Sequence, residues 1–176
     1  MLLALLLPQI LVTGAPTLLV PVFTRCSGSC PVTVMKLREK APLRFRVTVL
    51  SFDPDDTPAD LAEFRERMDL PAGWTVTQLP PAQTHALLDG LDFHFMKSER
   101  GFDHPNQTFV FSPRGRWAGT LNGSDFDGLD AAWNRALRAD HPLLAWVDDP
   151  AALIAAAAAG LSISLAIVAV AVRKTA

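Results

Sequence analysis

Cys26 and Cys30 are the only cysteines in this sequence of 176 residues, and three residues separate them. They follow an apolar run typical of a β-strand, residues 17–23, and they precede Pro31 and a segment that can be helical. Two thiols at a strand-to-helix junction favour either thiol–disulfide exchange or the binding of a soft metal ion. Because the N-terminus of a helix favours a thiolate, we expect both cysteines to be more acidic than free cysteine.

The spacing of the two cysteines leaves their chemistry open. A Cys-x-x-x-Cys pair permits a disulfide and also lets both sulfurs reach one metal ion, for which Cu(I) is the preferred partner and zinc the competitor. A structural disulfide in an exported domain is a third possibility, although such a disulfide normally closes a longer loop.

Stable copper binding by two sulfurs needs at least one further ligand. His104 is the best placed of the histidines, because its loop leads into a predicted strand and is expected to face the cysteine helix. Asp103 beside it is available to orient the imidazole. We interpret the remaining histidines as surface or packing residues; they are His85, His94 and His141.

Two charged residues are candidates for a supporting role near the cysteines. Asp53 ends a predicted central strand and serves either as a turn or capping residue or as electrostatic support for a metal site. Arg25, next to Cys26, is suited to hold a thiolate or to bind the acidic surface of a partner. The sequence shows no catalytic triad, phosphate-binding loop or carboxylate pair.

The elements that must position these residues follow the order β-α-β-α-(α)-β-β-α. This α/β order is thioredoxin-like, and it places the cysteines at the C-terminal end of the first long strand, where open sheets bind ligands. We assign residues 15–141 to this domain. The predicted strands cover residues 17–23, 43–52, 74–78, 107–112 and 117–121, and the predicted helices cover residues 32–40, 58–68, 81–88 and 125–139.

The C-terminal region contains 22 consecutive uncharged residues, 151–172. This length suffices for a transmembrane helix, with an Ala-rich buried helix as the alternative. A basic flank follows it and acidic residues precede it, so the positive-inside tendency predicts a cytoplasmic tail at residues 173–176. The folded domain would then lie on the outer face of the plasma membrane, joined to a single-pass anchor by a linker at residues 142–150.

The N-terminal residues 1–14 are apolar and are interpreted as a truncated signal or anchor, or as a first strand. The formal net charge is −2, and charged residues are spread along the chain. Since a nucleic-acid binder needs a basic stripe, we expect no nucleic-acid partner.

Three segments together resemble the Sco/SenC family of thioredoxin-like copper proteins. Residues 24–31, TRCSGSCP, resemble its Thr-Arg-Cys-x-x-x-Cys-Pro signature, and residues 51–58, SFDPDDTP, resemble its Ser-Val-Asp-Pro-x-x-Asp-Thr-Pro stretch. Asp103 and His104, followed by residues 109–115, resemble the loop of the copper-binding histidine and the strand after it. The resemblance covers about residues 15–140.

The resemblance implies a metallochaperone that binds Cu(I) or Cu(II) through Cys26, Cys30 and His104. It implies delivery of copper to the dinuclear CuA centre of cytochrome c oxidase, or reduction of that centre's cysteines before loading. The expected partner is a copper-accepting oxidase subunit or another copper protein, reached from the membrane through the C-terminal helix. The alternative is a thiol–disulfide oxidoreductase that acts on exported proteins through Cys26 and Cys30.

Overall fold

Five strands form the central sheet of the computed structural model, which describes residues 9–41, 44–99, 101–124 and 126–141. In chain order, the helices and strands are β1 (Thr17–Val22), α1 (Ser29–Lys40), β2 (Arg46–Ser51), α2 (Pro58–Arg67), β3 (Thr75–Gln78), α3 (Pro81–Asp89), β4 (Met96–Ser98), β5 (Gly101–Asp103), β6 (Gln107–Phe111), β7 (Trp117–Asn122) and α4 (Leu129–Ala139). The strand order across the sheet is β3-β2-β1-β6-β7. The first three strands are parallel, and β6 and β7 run antiparallel to their neighbours.

Strand β1 lies at the centre of the sheet, and all of its residues are buried. It pairs with β2 along its whole length but with β6 only from Thr17 to Leu19. Pro21, opposite Leu50 of β2, lies beyond the stretch that pairs with β6. The near-complete burial of β1 and β2 is the pattern expected for a parallel sheet covered on both faces.

Helix α2 begins where the sequence predicts. Thr57 is its N-cap, the Thr57 hydroxyl accepts a hydrogen bond from the backbone N–H of Asp60, and Pro58 occupies the first turn. The Asp60 carboxylate accepts in return from the backbone N–H of Thr57, which completes a capping box.

Helix α1 begins at Ser29, earlier than the predicted start at residue 32, so that Cys30 and Pro31 both lie in its first turn. Pro31 is therefore the third residue of the helix. Proline is tolerated throughout a first turn because the N–H groups there have no partner within the helix.

The β4–β5 hairpin is an element that the sequence analysis missed. Its strands are three residues long each, too short for an alternating pattern to stand out. A further difference concerns the N-terminal segment, where residues 9–11 form a 3₁₀ turn rather than a strand; residues 1–8 lie outside the described part.

The chain divides into two units, residues 1–141 and 142–176, and every described residue belongs to the first. Within the described ranges, no helix has both the length and the apolarity required to cross a bilayer. The predicted linker at 142–150, membrane segment at 151–172 and tail at 173–176 all lie outside those ranges.

Candidate metal centre

Cys26, Cys30 and His104 meet at the C-terminal end of β1. Cys26 lies half-buried in the loop after that strand, and Cys30 is buried in the first turn of α1. The Nε2 atom of His104, which follows β5, lies 3.6 Å from the Sγ atom of Cys30. The fold thus brings together an imidazole and a thiol that are 74 positions apart in the sequence.

The two thiols have opposite pKa shifts. The hydrogen bond from Cys30 lowers the pKa of Cys26 to about 4, against the effect of burial and with the help of a hydrogen bond from His104. The same bond between the cysteines, together with burial, raises the pKa of Cys30. The expectation that both cysteines are acidic is therefore wrong for Cys30, because the proton that the two sulfurs share stays on the more buried one.

His104 is held with one ring nitrogen toward the sulfurs. Its Nδ1 atom lies 2.9 Å from the backbone carbonyl oxygen of Pro105, so an N–H there donates to the carbonyl and leaves Nε2 facing Cys30. Burial opposes protonation of the ring, but hydrogen bonds to the Cys26 thiolate and to Pro105 give a net rise in the pKa of His104. Asp103, predicted to orient the ring, is exposed and adds only its charge.

Aromatic rings surround the rest of His104. Its ring centroid lies 5.9 Å from that of Phe23, 5.2 Å from that of Phe52 and 5.8 Å from that of Phe93. The β4–β5 hairpin closes onto the same cluster at Gly101, whose φ is +116° and where a Cβ atom would lie 2.7 Å from the Phe23 ring. Glycine is required there because other residues avoid this backbone conformation and would clash with the ring.

The cysteine loop is held by a buried carboxylate, Asp56, which the sequence analysis included in the stretch 51–58 without assigning it a role. Asp56 accepts hydrogen bonds from the backbone N–H of Thr24 at 3.0 Å, from the Thr24 hydroxyl at 2.6 Å and from the Ser51 hydroxyl at 2.5 Å. The available signal was its position in an acidic turn directly after a buried strand.

Arg25 and Asp53, both singled out from the sequence, pair with each other. The Arg25 guanidinium lies 2.5 Å from the Asp53 carboxylate and 3.8 Å from that of Asp56. Arg67 of α2 donates to the carbonyl oxygen of Thr24 at 2.5 Å. Arg25 thus anchors its loop through Asp53, and Asp53 supports the position of the cysteines through Arg25.

The other histidines make contacts of their own. The His85 ring stacks on Phe95 with centroids 5.0 Å apart, and the exposed His94 lies 3.0 Å from the Asp92 carboxylate. His141 is exposed just beyond α4. In the described part of the chain, no three His, Cys, Asp or Glu side chains are already arranged as a complete metal site.

Comparison with known proteins gives one family and a set of similar structures. The family model described as SCO1/SenC matches residues 9–132. No curated protein matches the sequence.

Three solved structures illustrate the similarity. A candidate electron transfer protein from Aquifex aeolicus VF5 is 28% identical, with a TM-score of 0.68 over 76% of this chain and 85% of that one. Arabidopsis thaliana ScoI with copper bound is 21% identical, with a TM-score of 0.58 over 70% of this chain and 82% of that one. BsSco, described as a member of the Sco family of cytochrome c oxidase assembly proteins with a disulfide switch, is 19% identical, with a TM-score of 0.55 over 71% and 82% of the two chains. The predicted α/β, thioredoxin-like fold is confirmed by these similarities.

Proposed function

This chain belongs to the SCO1/SenC family, and from that premise we propose that it is a copper chaperone that binds Cu(I) or Cu(II) through Cys26, Cys30 and His104. The observation that carries the proposal is the 3.6 Å separation of Cys30 Sγ and His104 Nε2. A sulfur and a nitrogen that share one tetrahedral d¹⁰ ion, at about 2.3 Å and about 2.05 Å from it, lie about 3.5 Å apart.

Cys26 supplies the third ligand. Its low pKa keeps it a thiolate at neutral pH, the form that binds soft metals. Cys26 is the more exposed of the two sulfurs, so its side chain has more freedom to adjust when the ion binds. Cys30, whose pKa is raised, releases its proton when the ion binds.

The proposed role is delivery of copper to an acceptor by exchange of ligands between two proteins. Arabidopsis ScoI has been crystallised with copper bound, and BsSco is described as belonging to cytochrome c oxidase assembly proteins. We propose the CuA centre of the oxidase, which the family resemblance implies, as the acceptor. Residues 151–172 would anchor the domain to the plasma membrane on its outer face, within reach of a membrane-bound oxidase subunit.

Copper titration of the reduced full chain tests the proposal. We expect one copper ion per chain, loss of binding in Cys26→Ser and Cys30→Ser, and binding at least about 10-fold weaker in His104→Ala. His94→Ala, which removes an exposed imidazole, is the matched control and should bind like the wild type. Copper that is lost on dialysis against a weak chelator would reject the proposal.

The membrane anchor has its own test. The full chain should stay with membranes washed in alkaline carbonate, whereas a chain with Ile163→Arg and Leu165→Arg should be released, because charged residues near the bilayer centre oppose insertion. A wild-type chain released by the same wash would remove the anchor from the proposal and leave copper binding intact.

A second candidate function is thiol–disulfide exchange, favoured by the opposite pKa shifts of the two thiols. The Cys26 thiolate would attack a disulfide of the partner and form a mixed disulfide, which releases one thiolate of the partner. Deprotonated Cys30 would then attack the Cys26 sulfur, so that the partner leaves with two thiols and this chain with a disulfide. Reduction of a CuA-type disulfide that persists in His104→Ala without added metal would favour this function over the copper chaperone.

A further inference from the structure

A closed ring of hydrogen bonds lies beside the candidate metal centre. The Thr33 hydroxyl lies 3.0 Å from Oδ1 of Asn106 and 3.1 Å from the Ser124 hydroxyl, and Nδ2 of Asn106 lies 3.3 Å from the same Ser124 oxygen. Each of the three side chains therefore contacts the other two.

The chemistry of the three groups fixes how the ring closes. If the Thr33 O–H donates to the Asn106 oxygen, its single proton is used, so the Ser124 O–H must donate to Thr33. The amide N–H of Asn106 then donates to Ser124. Exchanging the oxygen and nitrogen of the amide reverses every bond and closes the ring again, so each orientation of Asn106 satisfies all three contacts.

The ring joins the two halves of the metal centre without touching either ligand. Thr33 follows Cys30 by three residues on the buried face of α1, and Asn106 follows His104 by two residues. The backbone N–H of Gly123 also donates to the Asn106 carbonyl oxygen at 2.8 Å, so that this residue is held by both its side chain and its backbone.

We propose that Thr33, Asn106 and Ser124 are positioning residues that set the separation of Cys30 and His104 and thereby the affinity for copper. This inference rests on the proposed function. The aromatic side chains that pack on His104 include Phe23 and Phe52, which directly follow β1 and β2. The Thr33–Asn106 hydrogen bond, in contrast, links the histidine loop directly to the helix that carries Cys30. Without that link, the imidazole keeps its packing but loses a direct tie to the helix of the sulfur.

Paired threonine substitutions in the full chain test the inference. Thr33→Val keeps the shape of the side chain and deletes the hydroxyl, so we expect Cu(I) affinity, measured by competition with a chelator, to fall about 2- to 10-fold. Thr33→Ser restores the hydroxyl and should restore the affinity. Thr108→Val is the matched control, because Thr108 is buried nearby and its hydroxyl has no hydrogen-bond partner in the described part of the chain.

A double-mutant cycle with His104→Ala separates positioning from general stability. If Thr33 acts through the spacing of Cys30 and His104, Thr33→Val should change the affinity in the wild type but add nothing once the imidazole is absent. The Cu(II) form of Thr33→Val should also show a shifted sulfur-to-copper absorption band, which Thr108→Val should leave in place. Ser124→Ala removes a different hydroxyl of the same hydrogen-bonded ring, at a half-buried loop position. It is the substitute variant if Thr33→Val does not fold.

An unchanged affinity in the folded variant, or an equal loss with and without His104, would overturn the inference while leaving copper binding in place. A wild-type chain that does not retain copper would reject the proposed function and the inference together.

Discussion

The two sides of the candidate metal centre are held by different forces. On the cysteine side, the buried Asp56 and Asp53 bind Thr24, Ser51 and Arg25 through charged groups. On the histidine side, His104 is surrounded by phenylalanine rings, and its loop is joined to the neighbouring helix by the neutral hydrogen bond between Thr33 and Asn106.

This difference implies different responses to change. Separating a buried carboxylate from its donors leaves both without a partner, which costs the full desolvation free energy of each group. The cysteine loop therefore has one favourable arrangement. Ring packing and neutral hydrogen bonds permit small shifts at a lower energy. We therefore expect the backbone of the cysteine loop to be the rigid part of the site, whereas the more exposed Cys26 side chain and the histidine side adjust when copper enters or leaves.

Asp56→Ala should have the largest effect on the free energy of unfolding, because it leaves the Thr24 and Ser51 donors buried without an acceptor. We expect a loss of about 3–5 kcal/mol, measured by urea denaturation of the reduced protein. Asp69→Asn is the control, since Asp69 is exposed, pairs with Arg38 on the surface and has a positive φ that asparagine adopts readily. It should change stability by less than about 0.5 kcal/mol. Equal losses in the two variants would contradict a rigid cysteine side.

Gly101→Ala should have a smaller effect on the histidine side. The added methyl group would press on the Phe23 ring in a backbone conformation that alanine avoids, and we expect a loss of about 1–3 kcal/mol. Gly73→Ala, where a Cβ atom meets nothing within 4 Å, should stay within about 0.5 kcal/mol of the wild type. A loss as large as that in Asp56→Ala would mean that the hairpin is as rigidly required as the cysteine loop.

The ionisation of Cys26, whose thiolate lies between the two sides of the site, should have the smallest effect on the free energy of unfolding. The pKa of Cys26 is about 4 when folded and near 8.5 when unfolded, so this group adds stability that is lost as the pH falls toward 4. The pKa of His104 is raised, so its contribution is present below about pH 6.5 and is lost as the pH rises through the folded value. The two groups together predict that the free energy of unfolding rises from about pH 4.5 to about pH 6.5. It then stays level until folded His104 deprotonates, because the gain from Cys26 and the loss from His104 cancel.

Urea midpoints of the reduced wild type and of Cys26→Ser at both pH values provide the measurement. After allowance for solvent screening at this half-exposed group, the wild type should gain on the order of 1 kcal/mol over the variant between the two pH values. A constant difference would show that Cys26 is protonated throughout.

The sequence predicted those parts of the site that depend on residue type and local order. The two cysteines, His104 and Asp53 all stand beside a strand or helix that the apolar pattern locates. Asp56 was missed because a buried acceptor and a solvated turn carboxylate look alike until the donors around it are known. The low pKa of Cys26 and the high pKa of Cys30 depend on which sulfur is more buried, and two cysteines in one motif do not reveal this.

The hydrogen-bonded ring was beyond the reach of sequence analysis. Thr33 and Asn106 are 73 positions apart, and Thr33 and Ser124 are 91 apart, with no periodicity to connect them. The threonine of the ring and Thr108, which has no hydrogen-bond partner within the described ranges, are the same residue type in buried positions. Their difference arises only from the tertiary arrangement.

Pro21 has a consequence for the path of the histidine loop. The backbone N–H groups of Arg46 and Phe52 donate to the carbonyl oxygens of Pro16 and Val22. Even-numbered residues along β1 therefore direct their backbone polar groups toward β2, and odd-numbered residues direct theirs toward β6. Pro21 is odd-numbered and has no N–H to donate to β6, so the pairing of β1 with β6 ends after Leu19. A single proline thereby prevents β1 and β6 from pairing further toward residue 104. The His104 side chain consequently lies where the two strands have separated, and not beside a continuous set of strand-to-strand hydrogen bonds.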